Sequence, residues 1–251
     1  NSSSNPYKIV VNAGIFIENS LIMKPYVCIE GSGIDTTFIV SSNTNQHLII
    51  ADKHSYIKSC TLGGSTDTGY AAVYYSVPGY TFDDLFTIDD CNFSDSYYLV
   101  YVNADTTPNV INIINCTLGT ADFYIGFNII GTNGGIAKAL IRNCNLFCDP
   151  NLSINTVINV DGEDTEAVVI STLMYSINSS ITAINGTNGA LLRLNGVNIN
   201  GFNTGILMDG GTNNSISAIG INFENCVNHL IINDSTSFGY VQGSVAISKS
   251  V

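Results

Sequence analysis

The hydrophobic and polar positions of this chain follow one short phrase that returns at intervals. An aliphatic residue is followed by two positions, a small apolar residue, one more position, and another aliphatic or aromatic. Ile57-x-x-Cys60-x-Leu62, Ile88-x-x-Cys91-x-Phe93, Ile113-x-x-Cys116-x-Leu118 and Ile141-x-x-Cys144-x-Leu146 carry cysteine at its centre. Ile170-x-x-Leu173-x-Tyr175, Leu194-x-x-Val197-x-Ile199 and Ala218-x-x-Ile221-x-Phe223 continue it with aliphatics, and Ile34-x-x-Thr37-x-Ile39 opens the series. From Thr37 to Ile221 the steps are 23, 31, 25, 28, 29, 24 and 24 residues, a period that marks a repeat architecture.

Between these phrases lies a second set of short runs: His47-L-I-I-A-D, Tyr98-L-V-Y-V-N, Gly126-F-N-I-I-G, Thr156-V-I-N-V-D-G, Ile181-T-A-I-N-G, Gly205-I-L-M-D-G and His229-L-I-I-N-D. Val160, Ile184, Met208 and Ile232 within it are each 24 residues apart. Alternating Ile, Val, Tyr and Thr ended by Asn, Gly or Asp is the grammar of strands and turns. An antiparallel sandwich alternates its strand environments, whereas a fixed phase stacks like on like in parallel, in-register rungs ~4.8 Å apart. The expectation is an all-β chain, residues 1–251 forming one right-handed parallel β-helix of the three-sheet type with nine or ten coils. Cys60, Cys91, Cys116 and Cys144 should stack as inward neighbours, continued by Leu173, Val197 and Ile221. Asn ladders should satisfy backbone groups at the turns. Open rungs at the two ends call for caps, and no helical cap is visible.

Composition narrows the function. Of 251 residues, 45% are hydrophobic and 11% charged, with mean hydropathy +0.25, so neutral polar groups must provide solubility; Asn alone occurs 31 times. A net charge of -12 with eight basic residues leaves no phosphate-neutralising patch, which argues against nucleic acid and against anionic membrane surfaces. No run of 18 apolar residues is present to insert into a membrane. The start, N-S-S-S-N-P, reads as a trimmed or excised segment. Seven cysteines, four of them at one repeat position, suggest an interior stack of small hydrophobes rather than a metal site.

Residues 9–40 carry A-G-x-F-x-E at Ala13, Gly14, Phe16 and Glu18, then G-x-G and a threonine before an aliphatic at Gly31, Gly33, Thr37 and Ile39. This pattern resembles the first coils of pectin methylesterases and other members of the pectin-lyase-like superfamily, and implies their right-handed β-helix. Gly119-T-A-D-F-Y-I-G126 looks like the esterases' G-T-V-D-F-I-F-G segment, which implies the nucleophile's place for Asp122. The preceding coil departs from the family. Tyr97 and Tyr98 stand where the resemblance places a glutamine and the general-acid aspartate, Tyr70 lies beside another missing glutamine, and the chain has no Trp for the family's arginine-proline-tryptophan motif. A nucleophilic carboxylate without its proton donor and oxyanion donors is an incomplete esterase.

Eight of the thirteen tyrosines lie between Tyr70 and Tyr124: Tyr70, Tyr74, Tyr75, Tyr80, Tyr97, Tyr98, Tyr101 and Tyr124. The longest step holds a loop, Ser76-V-P-G-Y-T-F-D-D84, with Asp83 and Asp84, and Asp89 follows. Ring faces cover the C–H faces of neutral sugars while carboxylates accept hydroxyl protons. The candidate glycan-binding set is therefore Tyr74, Tyr75, Tyr98, Tyr101, Tyr124, Asp83, Asp84 and Asp89; the alternative assignment of these rings is core packing. Asp89 and Asp90 are adjacent on a strand and point to opposite faces, which disfavours a paired-carboxylate hydrolase. Lys58, Asp89, Ile114 and Arg142 fall in one repeat column, better read as surface charge than as a lyase site. Asp161-G-E-D-T-E166 lacks a calcium-loop spacing and reads as a solvated turn. His47 and His229, at equivalent positions 182 residues apart, read as structural.

These features favour a non-catalytic β-helix module of a cell-surface or virion-surface protein, a fibre, spike or adhesin that offers rigid length and a glycan-binding face. The alternative is a carbohydrate-active esterase, lyase or hydrolase built around Asp122. No cofactor or metal is implied. Polysaccharide is the expected partner, and the uncapped ends suit a homotrimer or end-on assembly. The expected setting is extracellular.

Overall fold

The computed structural model describes residues 5–77, 85–118, 123–148, 154–177, 180–211, 213–233, 236–244 and 247–249. Every regular element among them is a strand, and the strands pair in parallel, coil upon coil. Each coil contributes three strands. Third-side strands form a ten-stranded sheet, and the other two sides join in an 18-stranded sheet. The join comes from Ser215–Glu224, a strand long enough to pair with Leu191–Asn195 on one side of the bend and Asn198–Asn200 on the other. The molecule is a right-handed parallel β-helix, as the repeated phrase requires.

Register explains why the phrase repeats. Ile9, Ile29, Ile57, Ile88, Ile113, Ile141, Val169, Leu194, Ala218 and Val241 are partners on successive rungs. Ile29 through Ala218 are buried, whereas Ile9 is 52% exposed and Val241 half-buried. About eight turns are thus closed on both sides, slightly fewer than the nine or ten expected, with a partly open rung at each end. A parallel interior ladder runs Phe16, Ile39, Leu62, Phe93, Leu118, Leu146, Met174, Ile199 and Phe223. Each fully buried side chain of this kind contributes about 1.5–3 kcal/mol.

Between the two ladders, Cys60, Cys91, Cys116 and Cys144 are all buried, and the Sγ atoms of Cys60 and Cys91 lie 4.0 Å apart. The next member is not Leu173. Asn145 pairs with Leu173, so the residue stacked on Cys144 is Thr172, fully buried, while Leu173 is 40% exposed. The phrase there is Val169-x-x-Thr172-x-Met174, one residue earlier than the aliphatic pattern suggests. Thr172 fits because its Oγ1 donates to the carbonyl of Ile170 at 3.0 Å, which satisfies a buried hydroxyl locally. Val197 and Ile221 then resume the column. A similar slip affects the second track, where Val160 pairs with Gly186 and Ile184 with Ile158.

The bend between the first two sides is made by one left-handed residue per coil. Ser59, Asp90, Asn115, Asn143, Ser171, Gly196 and Gly220 stand in one column with φ between 47° and 63°. Asn, Asp and Gly tolerate this region best, hence the polar punctuation after each apolar run. The side chains bond along the column: Ser59 Oγ donates to Asp90 Oδ2 at 2.8 Å, and Asn143 Nδ2 to Asn115 Oδ1 at 3.4 Å. At the N-terminal end, Tyr7, Ile9, Val10, Ile15, Ile17 and Ile22 are each more than half exposed, and Ile9, Val10 and Ile22 help line a cavity of about 510 Å³.

Candidate functional site

Five strands of the ten-stranded sheet carry the candidate site: β1 (Ala71–Tyr75), β2 (Tyr98–Asp105), β3 (Ile125–Thr132), β4 (Thr156–Asp161) and β5 (Thr182–Thr187). Simple alternation would put Tyr98 and Tyr101, three residues apart, on opposite faces of β2. They share the outer face because Leu99 and Val100 are both fully buried, so the alternation skips a beat between them. The same skip occurs at Gly126-Phe127, Val157-Ile158 and Ala183-Ile184 on the following coils.

The outcome is a continuous patch of seven rings. His47 stacks on Tyr74 with centroids 4.2 Å apart and planes at 7°, and meets the edge of Tyr70 at 5.4 Å. Tyr74 contacts Tyr101 at 5.3 Å and 63°, Tyr101 contacts Tyr98 at 5.0 Å, and Tyr98 contacts Tyr97 at 4.7 Å and 75°. Tyr97 then stacks on Tyr124 at 5.0 Å and 15°. Stacked pairs on successive rungs spend their faces on each other. His47/Tyr74 and Tyr97/Tyr124 therefore act as walls, and the steeply inclined Tyr98 and Tyr101 lie between them. Tyr124 is 40% exposed, and the other rings of the patch are half-buried. Asn155 Nδ2 donates to the Tyr124 hydroxyl at 3.1 Å.

The patch is electrically quiet. Burial pushes the Tyr98 phenol up to about 12, with smaller upward contributions from the phenols of Tyr97, Tyr101 and Tyr124. Burial also raises Tyr97 and Tyr101. It pushes the His47 imidazole down to about 4, so this ring is neutral at neutral pH. Six rings with phenolic tips beside one neutral imidazole can stack on apolar faces and exchange hydrogen bonds with hydroxyl groups, which is the chemistry of an uncharged, hydroxyl-rich ligand.

Five expected site residues belong elsewhere or are not described. Tyr75 is 1% exposed and packs on Phe86 at 5.4 Å; it points inward beside Val73 and is part of the core. Asp89 lies in the 18-stranded sheet, bonded to Lys58 Nζ at 3.0 Å and accepting from Asn115 Nδ2 at 2.9 Å, so it serves the charge column and the bend. Asp83, Asp84 and Asp122, like Tyr80, lie outside the described residues. Conversely, His47, Tyr70 and Tyr97 join Tyr74, Tyr98, Tyr101 and Tyr124 in the patch. The signal for His47 was its repeat position, directly before the run that stacks under β1. Among the described residues no three His, Cys, Asp or Glu side chains gather as a metal site would need.

No family model matches the sequence, and no curated protein matches it either. Solved structures do share its fold. A pectin methylesterase in complex with a hexasaccharide superposes with a TM-score of 0.51 at 13% identity, covering 99% of this chain and 85% of that one. Pectin methylesterase PemA from Erwinia chrysanthemi gives a TM-score of 0.51 at 12% identity, with the same coverage of 99% and 85%. At this identity the likeness is one of fold: the chain has the right-handed β-helix of the pectin-lyase-like type.

Proposed function

We propose that this chain is a non-catalytic β-helix module that binds a neutral glycan through its tyrosine face and provides rigid length on a cell or virion surface. The observation that carries the reading is the pair Tyr98 and Tyr101, inclined between two stacked ring walls in a patch held uncharged. A net charge of -12 supports a neutral rather than a polyuronate ligand, since anionic chains would be repelled. The fold shared with the esterases supports a carbohydrate setting without deciding the chemistry.

Catalysis is the second reading, favoured by the resemblance around Asp122. It asks Tyr98 to supply the proton that the esterases' aspartate supplies, and a phenol at about 12 is poorly matched to acid catalysis at neutral pH. Methanol release from methylated pectin should therefore equal a no-protein control. Turnover that disappears in Asp122→Asn would reverse the assignment. For the binding reading, a glycan array should show retention of neutral polysaccharide, and Tyr98→Ala or Tyr101→Ala should weaken it by roughly 1–3 kcal/mol. Unchanged retention in both variants, with the far-UV circular dichroism intact, would assign these rings to packing.

A further inference from the structure

We propose that His47 positions the tyrosine face, acting as the neutral imidazole that holds Tyr74 and the start of β1, and that its protonation dismantles the face. The consequence for ligand binding rests on the glycan reading above. Two independent contacts define the role. The ring is the stacking partner of Tyr74 at 4.2 Å and 7°, and its Nδ1 accepts the backbone N–H of Ala71, the first residue of β1, at 3.0 Å. A backbone N–H can only donate, so Nδ1 must be the unprotonated nitrogen and the single ring proton sits on Nε2.

A second proton on Nδ1 would set N–H against N–H. The ring must then swing away, which removes the wall behind Tyr74 and the edge contact with Tyr70, and frees the amide that starts β1. The titratable groups facing His47 from the elements packed on it are the phenols of Tyr70 and Tyr74. Among the described residues no carboxylate compensates an imidazolium there, and burial is the cause of the drop to about 4. The direction follows from linkage. Between the ordinary histidine value of 6.5 and about 4, the unfolded chain binds a proton that the folded chain refuses. The contribution of His47 is complete above pH 6.5 and is lost as pH falls toward 4.

Two substitutions separate the roles. His47→Asn keeps an acceptor oxygen near the Nδ1 position and removes both ring and titration. His47→Phe keeps the ring and removes the acceptor. Near-UV circular dichroism of the tyrosines and retention of the best array glycan would be followed from pH 7 to 3.5. In the native chain both signals should fall in one step with a midpoint near 4, reversibly and with the far-UV signal kept. That step should be absent from both variants. At pH 7 His47→Phe should bind about three- to tenfold more weakly, the worth of one hydrogen bond. The same acid step in His47→Asn as in the native chain overturns the proposal, and this variant decides the matter even where His47→Phe fails to fold. A tyrosine step that vanishes in His47→Asn while no glycan is retained at any pH upholds the positioning role and overturns the glycan reading instead.

Discussion

One outward column of the ten-stranded sheet changes character halfway along the molecule. It reads Tyr74 and Tyr101 on β1 and β2, then Asn128, Asn159 and Asn185 on β3, β4 and β5, all partners on successive rungs. The amides complete one another: Asn159 Nδ2 donates to Asn128 Oδ1 at 2.9 Å, and Asn185 Nδ2 to Asn159 Oδ1 at 2.8 Å. Asn128 is 2% exposed. An amide has both a donor and an acceptor, so a row of them at rung spacing pairs internally, and the terminal Asn185 Oδ1 of this row is left without a partner among the described residues. Phenols in the same places meet by ring contact and keep their hydroxyls for something else. The same scaffold position is therefore structural where it repeats Asn and available where it repeats Tyr, and the proposed binding face is confined to the coils that carry rings.

Three changes test this contrast, beginning with what both halves share. Cys116→Asp puts a carboxylate into the interior column between Cys91 and Cys144, where it has no ionic partner. It should cost on the order of 3–5 kcal/mol and remove the cooperative thermal transition, with loss of both amide and tyrosine signals. Asn159→Leu breaks the middle of the amide row and leaves the Asn128 carbonyl and the Asn185 amide unmatched. Urea unfolding should show a loss of about 2–4 kcal/mol with glycan retention unchanged. Reduced retention at intact fold would extend the binding face into the amide half and remove the contrast. Tyr124→Phe deletes the hydroxyl that accepts from Asn155 yet keeps the stack on Tyr97. A stability change within about 1 kcal/mol in the same assay would confirm that the wall is held by the rings; a larger one would place the weight on the hydroxyl.

Much of this architecture was legible because a solenoid writes its register into the period of its apolar residues. The Ile ladder and the four stacked cysteines follow directly from their spacing. Thr172 was hidden because a buried threonine with a local carbonyl partner breaks the aliphatic phrase, and the exposed Leu173 beside it offers a false continuation. The tyrosine face was legible as a cluster but not as a surface. Tyr75 and Tyr74 are neighbours of identical composition, and only the sheet's direction assigns one inward and one outward. Tyr98 and Tyr101 share a face through two consecutive buried residues, a departure from alternation that spacing does not announce. Asp89 sits within a few residues of the tyrosines in sequence and on another sheet in space, since one coil carries the chain through all three sides. The amide row in mid-strand was unexpected, because isolated Asn residues look like turn formers until the register aligns them.

The left-handed column from Ser59 to Gly220 has a consequence for how such a molecule can grow. Each coil carries its own left-handed corner residue at the same phase, and the bonds between corners, such as Ser59 to Asp90 and Asn143 to Asn115, join small polar residues of the same kinds. Excising one whole period, or duplicating it, would bring like against like at the seam and leave every other corner intact. Each addition would advance the tip by one rung, ~4.8 Å, without altering the cross-section. Length is thereby uncoupled from shape: a lineage could tune how far the tyrosine face stands from either end of the solenoid by copying coils, in whole-number increments, without redesigning a single bend.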